Sequence, residues 1–436
     1  MNIIYLHCHD AGRYIQPYGH GINTPNLQQL AEEGVVFRNA FCIGPTCSPS
    51  RSALLTGQYP HINGMLGLAH DKFNHSLNNY NNHIIHQLHD MGYTSALAGV
   101  QHIAQDVKTI GYKQVLEIPQ HTMADVDIKV AETASKWITD NSTEPFFLSV
   151  GLFYPHREFL KAQQGCASDE DWRYVKVPPT LPDNEQTRRD MANYNHSAKH
   201  MDECYGKVLA AIREAGIEEN TLIVATTDHG IAFPKMKCNL SDHGSGIFLI
   251  VKGPEGFEGG KCIDAMVTHM DIYPTICELL NVKAAHELNG KSLIPLVSGE
   301  KQELHEEIFS EVTFHAAYEP KRAIRTKRYK LIKRFNPDWT TQVMPNCDDG
   351  FSKTTLCENG WAEKQRQQLE LFDLVFDPSE AHNLAFDENY DQIREGLEKK
   401  LNDWMKDTAD PLLNGPVPVP EGCVSTPISA NSPYDE

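Results

Sequence analysis

Through the first 300 residues, short runs of β-branched and aromatic residues alternate with stretches whose apolar positions recur every three or four residues. "NIIYL" (2–6) reads as a buried strand, "TPNLQQLAEEG" (24–34) as an amphipathic helix and "VVFRNAFC" (35–42) as the next strand, with a helix expected after Pro49. A further helix is expected through "NNHIIHQLHDMG" (81–92), followed by strands at "TSALAG" (94–99) and "EPFFLSVGLF" (144–153). A long amphipathic stretch from about residue 185 to 215 precedes the strands "TLIVATTDHG" (221–230) and "GIFLIVKGP" (246–254). This is the βαβ rhythm of a mixed, mainly parallel sheet with helices on both faces.

Residues 157–184, with mixed charge and several prolines, read as an excursion over the surface and a rim for a pocket. Past about residue 305 the pattern changes to a hairpin over "RAIRTKRYKLIKRF" (322–335) and an amphipathic helix over "YDQIREGLEKKLNDWMKD" (390–407). The expected organisation is an α/β catalytic domain over 1–305 and a small α+β domain with an antiparallel sheet over 306–436. Its tail, 414–436, is rich in Pro, Gly and Ser. It is expected to run extended across a neighbouring surface or subunit, which permits a homodimer.

The 436 residues are 40% hydrophobic and 22% charged, as in a globular protein with a sizeable core. No run approaches the roughly 18 uncharged apolar residues of a membrane span, so no membrane partner is expected. A formal net charge of -19 argues against nucleic acid as a partner. An anionic substrate then has to meet a local basic pocket. The eleven cysteines, odd in number and without CxxC pairs, argue against a zinc ribbon or a disulfide framework, with Cys347 and Cys357 left as a candidate pair. "MNIIYLHCHD" has no basic n-region, apolar h-region or cleavage site, so the chain as written is expected to be cytoplasmic, or periplasmic or secreted if a leader has been removed.

Three expected strand ends carry polar residues: "LHCHD", "LFYPH" and "ATTDHG". Ligands of open parallel sheets bind outside such carboxyl ends, so these residues are expected to converge. Asp10, Asp228 and His229, with His9 beside them, suit a divalent cation such as Ca²⁺, Mg²⁺ or Mn²⁺. The plainer alternative is that both aspartates cap following helices. In "CSPSR" (47–51), a helix starting at Pro49 would put Cys47 at its N-terminus, where an anion is favoured, with Arg51 one turn on. The plainer alternative is a buried free cysteine.

"CSPSRSALLTG" (47–57) matches the sulfatase signature at Cys47, Pro49, Ser50, Arg51, Leu55, Thr56 and Gly57. The chain resembles that family also at "TPNLQQLAEEGVVFRNAF", "YPH", "TTDHG" and "LFDLVFDPSEAHNLA". "NGMLGLAHDKF" (63–73), "TDHGIAFPKMKCNL" (227–240) and "WMKDTADP" (404–411) are most similar to the sulfamidases, which cleave the N-sulfate of glucosamine in heparan-type glycans.

The resemblance implies an alkaline-phosphatase-like fold that hydrolyses a sulfamate or sulfate ester of a glycosaminoglycan-type sugar. It implies that a maturation enzyme oxidises Cys47 to formylglycine (3-oxoalanine), whose hydrate is the nucleophile. Asp10, residue 47, Asp228 and His229 then resemble the ligands of a metal, calcium before magnesium or manganese. Arg51 resembles the stabiliser of residue 47, His102 and His156 the sulfate-side histidines, and Lys237 a ligand of the sulfate oxygens. His156 or Lys237 is the candidate for protonating the leaving group.

Two departures stand out. His9 takes the place of the second acid that many sulfatases have, and its role as metal ligand, substrate contact or packing residue is open. Val100 stands where the family usually has lysine, and Arg13 is a candidate replacement cation, or alternatively a surface salt bridge. His70, Asp71, His75 and Arg322 are candidates for reading the sugar. Phosphonate monoester and phosphodiester hydrolases that use the same formylglycine are the alternative reading, and a non-catalytic binder of sulfated glycans is a second.

Overall fold

The computed structural model describes residues 1–161 and 171–435; the stretch 162–170 of the expected surface excursion lies outside the described residues. Strand β1 (Asn2–Cys8) is buried along its whole length. Its alternate side chains feed two cores: Ile3 and Tyr5 join one cluster, and Ile4, Leu6 and Cys8 join the other. A strand apolar on both faces belongs in the middle of a sheet covered on both sides, and that is where it lies.

Among the described residues, nine strands form one sheet. They are β1, β2 (Val35–Phe41), β3 (Thr94–Gly99), β4 (Gln114–Val115), β5 (Phe146–Gly151), β6 (Thr221–Thr227), β7 (Gly246–Ile247), β8 (Leu249–Lys252) and β9 (Lys261–Thr268), in the order β4-β3-β5-β1-β6-β8-β2-β7 with β9 beside β2. The run from β4 to β6 is parallel, and β8 is antiparallel to both β6 and β2. The register places Cys8 opposite Thr227 and His7 opposite Gly151, so the ends of β5, β1 and β6 emerge side by side.

On one face, the helices Val126–Asp140 and Glu185–Glu214 pack on the sheet through Val130, Ala134, Met201 and Tyr205. On the other, Cys47–Thr56, Ile84–Asp90 and Ile272–Leu279 contribute Leu54, Leu55, Ile84, Leu88 and Ile276. Each fully buried Leu or Ile side chain adds about 1.5–3 kcal/mol of transfer free energy. The helix expected at Pro49 begins instead at Cys47, because Thr46 is extended and Cys47 already takes helical conformation. Val175, Val177 and Leu181, in the stretch expected to ride over the surface, are buried against Tyr194 and Met191 of the long helix; this apolar spacing was masked by the prolines between them.

A second, antiparallel sheet runs β10 (Glu307–Phe314), β11 (Tyr318–Thr326), β12 (Tyr329–Arg334) and β13 (Leu369–Asp373) in sequential order. Helix Asp391–Asp407 covers it through Leu397, Leu401 and Trp404, against Ile324 and Leu331. The architecture is thus the expected one, a mainly parallel α/β sheet followed by a small antiparallel α+β unit. Among the described residues, no helix is long and apolar enough to cross a membrane.

The tail lies across its own chain. Val424 N donates to Phe73 O at 3.4 Å, Thr426 N to Ala316 O at 2.8 Å, and Lys353 Nζ to Asn431 O at 2.7 Å. Phe73 and Ala316 are the residues that pack, with Leu68, on Cys47. Cys347 and Cys357, the candidate disulfide, are free thiols; Cys347 Sγ is directed at the Asp348 carbonyl.

Candidate active site

The site is made by four neighbouring strand ends. His9 and Asp10 follow β1, Asp228 and His229 follow β6, His156 lies a short loop beyond β5, and His102 follows β3. Close approach of these ends needs Gly151, where a Cβ would sit 2.0 Å from the Val100 carbonyl oxygen and 2.6 Å from the His7 ring. Asp10 and His102 turn their chains inward at φ of 49° and 53°, in the left-handed region that Asp and His enter more readily than most residues.

The helix Cys47–Thr56 is buried along its length and delivers Cys47 and Arg51 from the opposite side. Arg51 Nη2 donates to Asp228 Oδ2 at 2.9 Å and to the Cys8 carbonyl at 3.0 Å, while Nη1 donates to His7 Nδ1. Ser50 Oγ donates to the Asp228 carbonyl. Burial alone would raise the Asp228 carboxyl, but His229, Arg51 and His9 outweigh it and hold it well below the usual carboxylate range.

Asp10, Cys47, Asp228 and His229 bring one ligand atom each within 4.8 Å of the others. His229 Nε2 lies 3.4 Å from Cys47 Sγ, 3.4 Å from Asp10 Oδ1 and 3.7 Å from Asp228 Oδ2. Its Nδ1 is 3.0 Å from the Gly230 carbonyl, which only accepts, so the proton is assigned to Nδ1 and Nε2 presents its lone pair to the cluster. Asp10 Oδ1 is buried with no hydrogen-bond partner. An orphaned carboxylate oxygen, a second carboxylate and an outward lone pair fit a divalent cation, which these residues would hold. His9 Nδ1 lies 3.1 Å from Asp228 Oδ2, and His9 also shares a second, overlapping group with Asp10, Cys47 and His156. Burial pushes the Cys47 thiol well above its ordinary pKa, with Lys237 opposing and Asp228 and Asp10 adding to the rise. An unmodified Cys47 is therefore held as a neutral thiol, a poor nucleophile.

Above the cluster stands a group of imidazoles and one ammonium. His102 stacks on His70 at 4.2 Å between ring centroids and meets His9 edge-on at 4.6 Å, and His156 meets His9 at 5.1 Å. His156 Nε2 is 3.9 Å from Asp10 Oδ2. Lys237 Nζ lies between two carboxylates, 3.1 Å from Asp10 Oδ2 and 3.2 Å from Asp348 Oδ2. Burial would lower its pKa, yet Asp10 and Asp348 raise it well above the ordinary value and keep it charged.

Ten of the candidates therefore gather here: His9, Asp10, Cys47, Arg51, His70, His102, His156, Asp228, His229 and Lys237. Asp71 stands at the rim, where it accepts a hydrogen bond from the Tyr434 hydroxyl at 3.2 Å.

Three candidates do not reach the site. Arg13 does not replace the missing lysine: Nη2 donates to the Ala40 carbonyl at 2.9 Å and the guanidinium lies 4.6 Å over the Phe41 ring, and it is not a surface ion pair either. Arg322 is fully buried and bound to Asp410 at 2.6 and 3.1 Å, to the Val312 carbonyl at 2.9 Å and to Glu311 at 3.4 Å; an inward strand position makes it part of an interior ion pair. His75 is buried on Phe314, 5.2 Å between rings, and supports the 67–75 loop from beneath.

The residues that sequence reasoning missed are Asp348, His7 and His315. Asp348 follows the turn Met344–Asn346, and its only local signal was a turn-like "DDG". Burial would raise its carboxyl, but Lys237, His156, His315 and Arg157 together hold it well below the usual range. His7 had a clearer signal, a polar residue inside an apolar strand.

A family model described as Sulfatase matches residues 1–282, and one described as N-sulphoglucosamine sulphohydrolase, C-terminal, matches residues 237–346. The chain is 29% identical over 471 residues to N-sulphoglucosamine sulphohydrolase of Homo sapiens, covering 95% of this chain and 92% of that protein. Its fold superposes with a TM-score of 0.70 on a protein solved in complex with its substrate D-glucosamine-2-N,6-O-disulfate, at 18% identity over 95% of this chain and 98% of that one. The TM-score is also 0.70 with the phosphonate monoester hydrolase of Agrobacterium radiobacter, at 19% identity over 98% and 99% of the two chains. At those identities the two structures speak for the fold alone.

Proposed function

From the premise that this chain belongs to the sulfatase family, whose model spans residues 1–282, we propose that it hydrolyses the N-sulfate of a glycosaminoglycan-type sugar such as N-sulfoglucosamine, with position 47 matured to formylglycine. The enzyme is a hydrolase of sulfate esters or sulfamates. The single observation that carries a matured nucleophile at position 47 is the placement of Cys47: buried, 3.4 Å from His229, and inside a set of carboxylates and cations that a mere free cysteine has no use for; the choice of N-sulfate is supported by likeness to relatives. The relatives that match over nearly the whole chain include one named for N-sulfoglucosamine, and the C-terminal family model carries the same name.

Asp10, Asp228, His229 and residue 47 would hold a divalent cation, calcium before magnesium or manganese, which would supply positive charge to acidify an oxygen on residue 47. Arg51 fixes Asp228 from below and adds its own charge to the floor of the site. Lys237, His102 and His156 hold the sulfate oxygens, and the charge on Lys237 compensates theirs as the bond to sulfur breaks. His156 or Lys237 delivers a proton to the departing nitrogen or oxygen. A formylglycine hydrate at position 47 would supply two hydroxyls, one to attack sulfur and one whose proton loss would break the carbon–oxygen bond to sulfate and reform the aldehyde, so that water would be needed only to rehydrate it. The partners in this reading are the sulfated sugar and the maturation enzyme.

A phosphonate monoester or phosphodiester hydrolase is the second reading, favoured by the Asp228–His229 pair and by Val100 in place of lysine. The deciding experiment uses one batch of matured protein, its modification verified by intact mass, offered N-sulfoglucosamine, glucosamine 6-sulfate and a phosphodiester beside a Cys47→Ala control. Sulfate release from the first substrate, lost in the control, is the expected outcome. Preference for the 6-sulfate ester overturns the N-sulfate assignment, and cleavage of the phosphodiester alone establishes the second reading.

A further inference from the structure

We propose that Asp348 recognises the N–H of a sulfamate and thereby sets a preference for N-sulfate over O-sulfate; this rests on the N-sulfate reading above. Lys237 Nζ touches the Asp10 carboxylate at 3.1 Å and the Asp348 carboxylate at 3.2 Å. Asp10 belongs to the floor with residue 47 and its side chain is fully buried, whereas the Asp348 side chain, on the other flank of the same ammonium, is 16% exposed, so Asp348 lies one ammonium farther out, towards the mouth. Displacement at sulfur runs in line: the leaving atom points away from the attacking oxygen on residue 47, and hence towards that outer side.

A carboxylate there is an unusual choice in a pocket for an anion. It accepts hydrogen bonds only. The bridging oxygen of a sulfate ester offers it nothing but lone pairs, and a buried acceptor set against another acceptor is costly. The bridging nitrogen of a sulfamate carries one hydrogen, which the Asp348 carboxylate can accept on a lone pair left over while Lys237 lies against its Oδ2.

The deprotonated oxygen on residue 47 forms a bond to sulfur as the S–N bond breaks with its electron pair left on nitrogen; nitrogen takes a proton from His156 or Lys237, and the hydrogen already on nitrogen stays bound to it throughout. Asp348 gains and loses no proton. By holding that hydrogen it turns the nitrogen lone pair towards the acid, so that one residue both selects the sulfamate and orients it.

The test compares wild type, Asp348→Asn and Asp348→Glu, each matured to the same extent, on N-sulfoglucosamine and glucosamine 6-sulfate. In Asp348→Asn the ratio of kcat/KM for the N-sulfate to that for the O-sulfate is expected to fall at least ~10-fold, because an amide can donate to the ester oxygen. Asp348→Glu keeps the charge beside Lys237 but displaces it, and is expected to lower the same ratio less. Equal losses on both substrates in both variants, with the ratio unchanged, would show that Asp348 merely holds Lys237 and would overturn the proposal. If Asp348→Asn does not fold, the ratio in Asp348→Glu decides alone. A wild type inactive on N-sulfoglucosamine overturns the N-sulfate reading itself, whereas an active wild type with unshifted variants overturns only the role of Asp348.

Discussion

Arg51 shows how much one side chain carries when it is wholly buried. Its fork spans Asp228, the Cys8 carbonyl and His7 at once, which a single ammonium cannot do. Arg51→Lys is therefore expected to cut sulfate release on the order of 100-fold and to destabilise the fold by about 3 kcal/mol, because Asp228 is left partly unpaired in the interior; urea unfolding and turnover measure the two effects separately. A variant as stable and as active as wild type would contradict the geometry. The role of Arg51 was legible from the spacing of the signature. That of Arg13 was not: three residues past Asp10 it was near enough along the chain, but a carbonyl at Ala40 and the ring of Phe41 draw it the other way.

At the scale of elements, the two sheets are fastened by a buried ionic bridge. Arg325 of β11 and Lys330 of β12 both reach Asp242, and Lys330 also reaches Glu380, whose carboxylate accepts from the Asp242 backbone N–H. Burial raises the Glu380 carboxyl from 4.5 to about 7, with Asp242 adding to the rise and Lys330 opposing it. The folded protein therefore keeps a proton that the unfolded chain has already lost, and this group lowers stability as pH climbs from about 4.5 to about 7. Glu380→Gln is expected to flatten that part of the stability profile, read by urea unfolding at pH 5 and pH 7; an unchanged slope would mean that Glu380 is ionised in the fold. The strands involved were visible as alternation and as a basic hairpin. Their partners across the interface were not, since nothing local marks Asp242 as the acceptor of two cations.

Taken as a whole, the molecule concentrates its donor atoms at one set of strand ends while carrying a net charge of -19. A cation bound to the folded site and not to the unfolded chain should stabilise it, by about 2.7 kcal/mol at a hundred times its dissociation constant. Chelation is expected to lower Tm by a few degrees and calcium to restore it, with Asp10→Asn abolishing the response. A Tm indifferent to both would remove the metal from the site.

The alternating pattern, the polar residues at strand ends and the signature around Cys47 sufficed to establish the α/β sheet, the small antiparallel unit and the floor of the site, because each depends on residues near one another in the chain or on the fixed geometry of parallel strands. Tertiary structure alone decided that Asp348 meets Lys237, that Arg322 pairs inward with Asp410, that His75 supports a loop, and that the tail folds back over Phe73 and Ala316. The period of a strand says which face a side chain takes, but a buried charge must find its partner wherever the fold brings one, and that search crosses the whole chain.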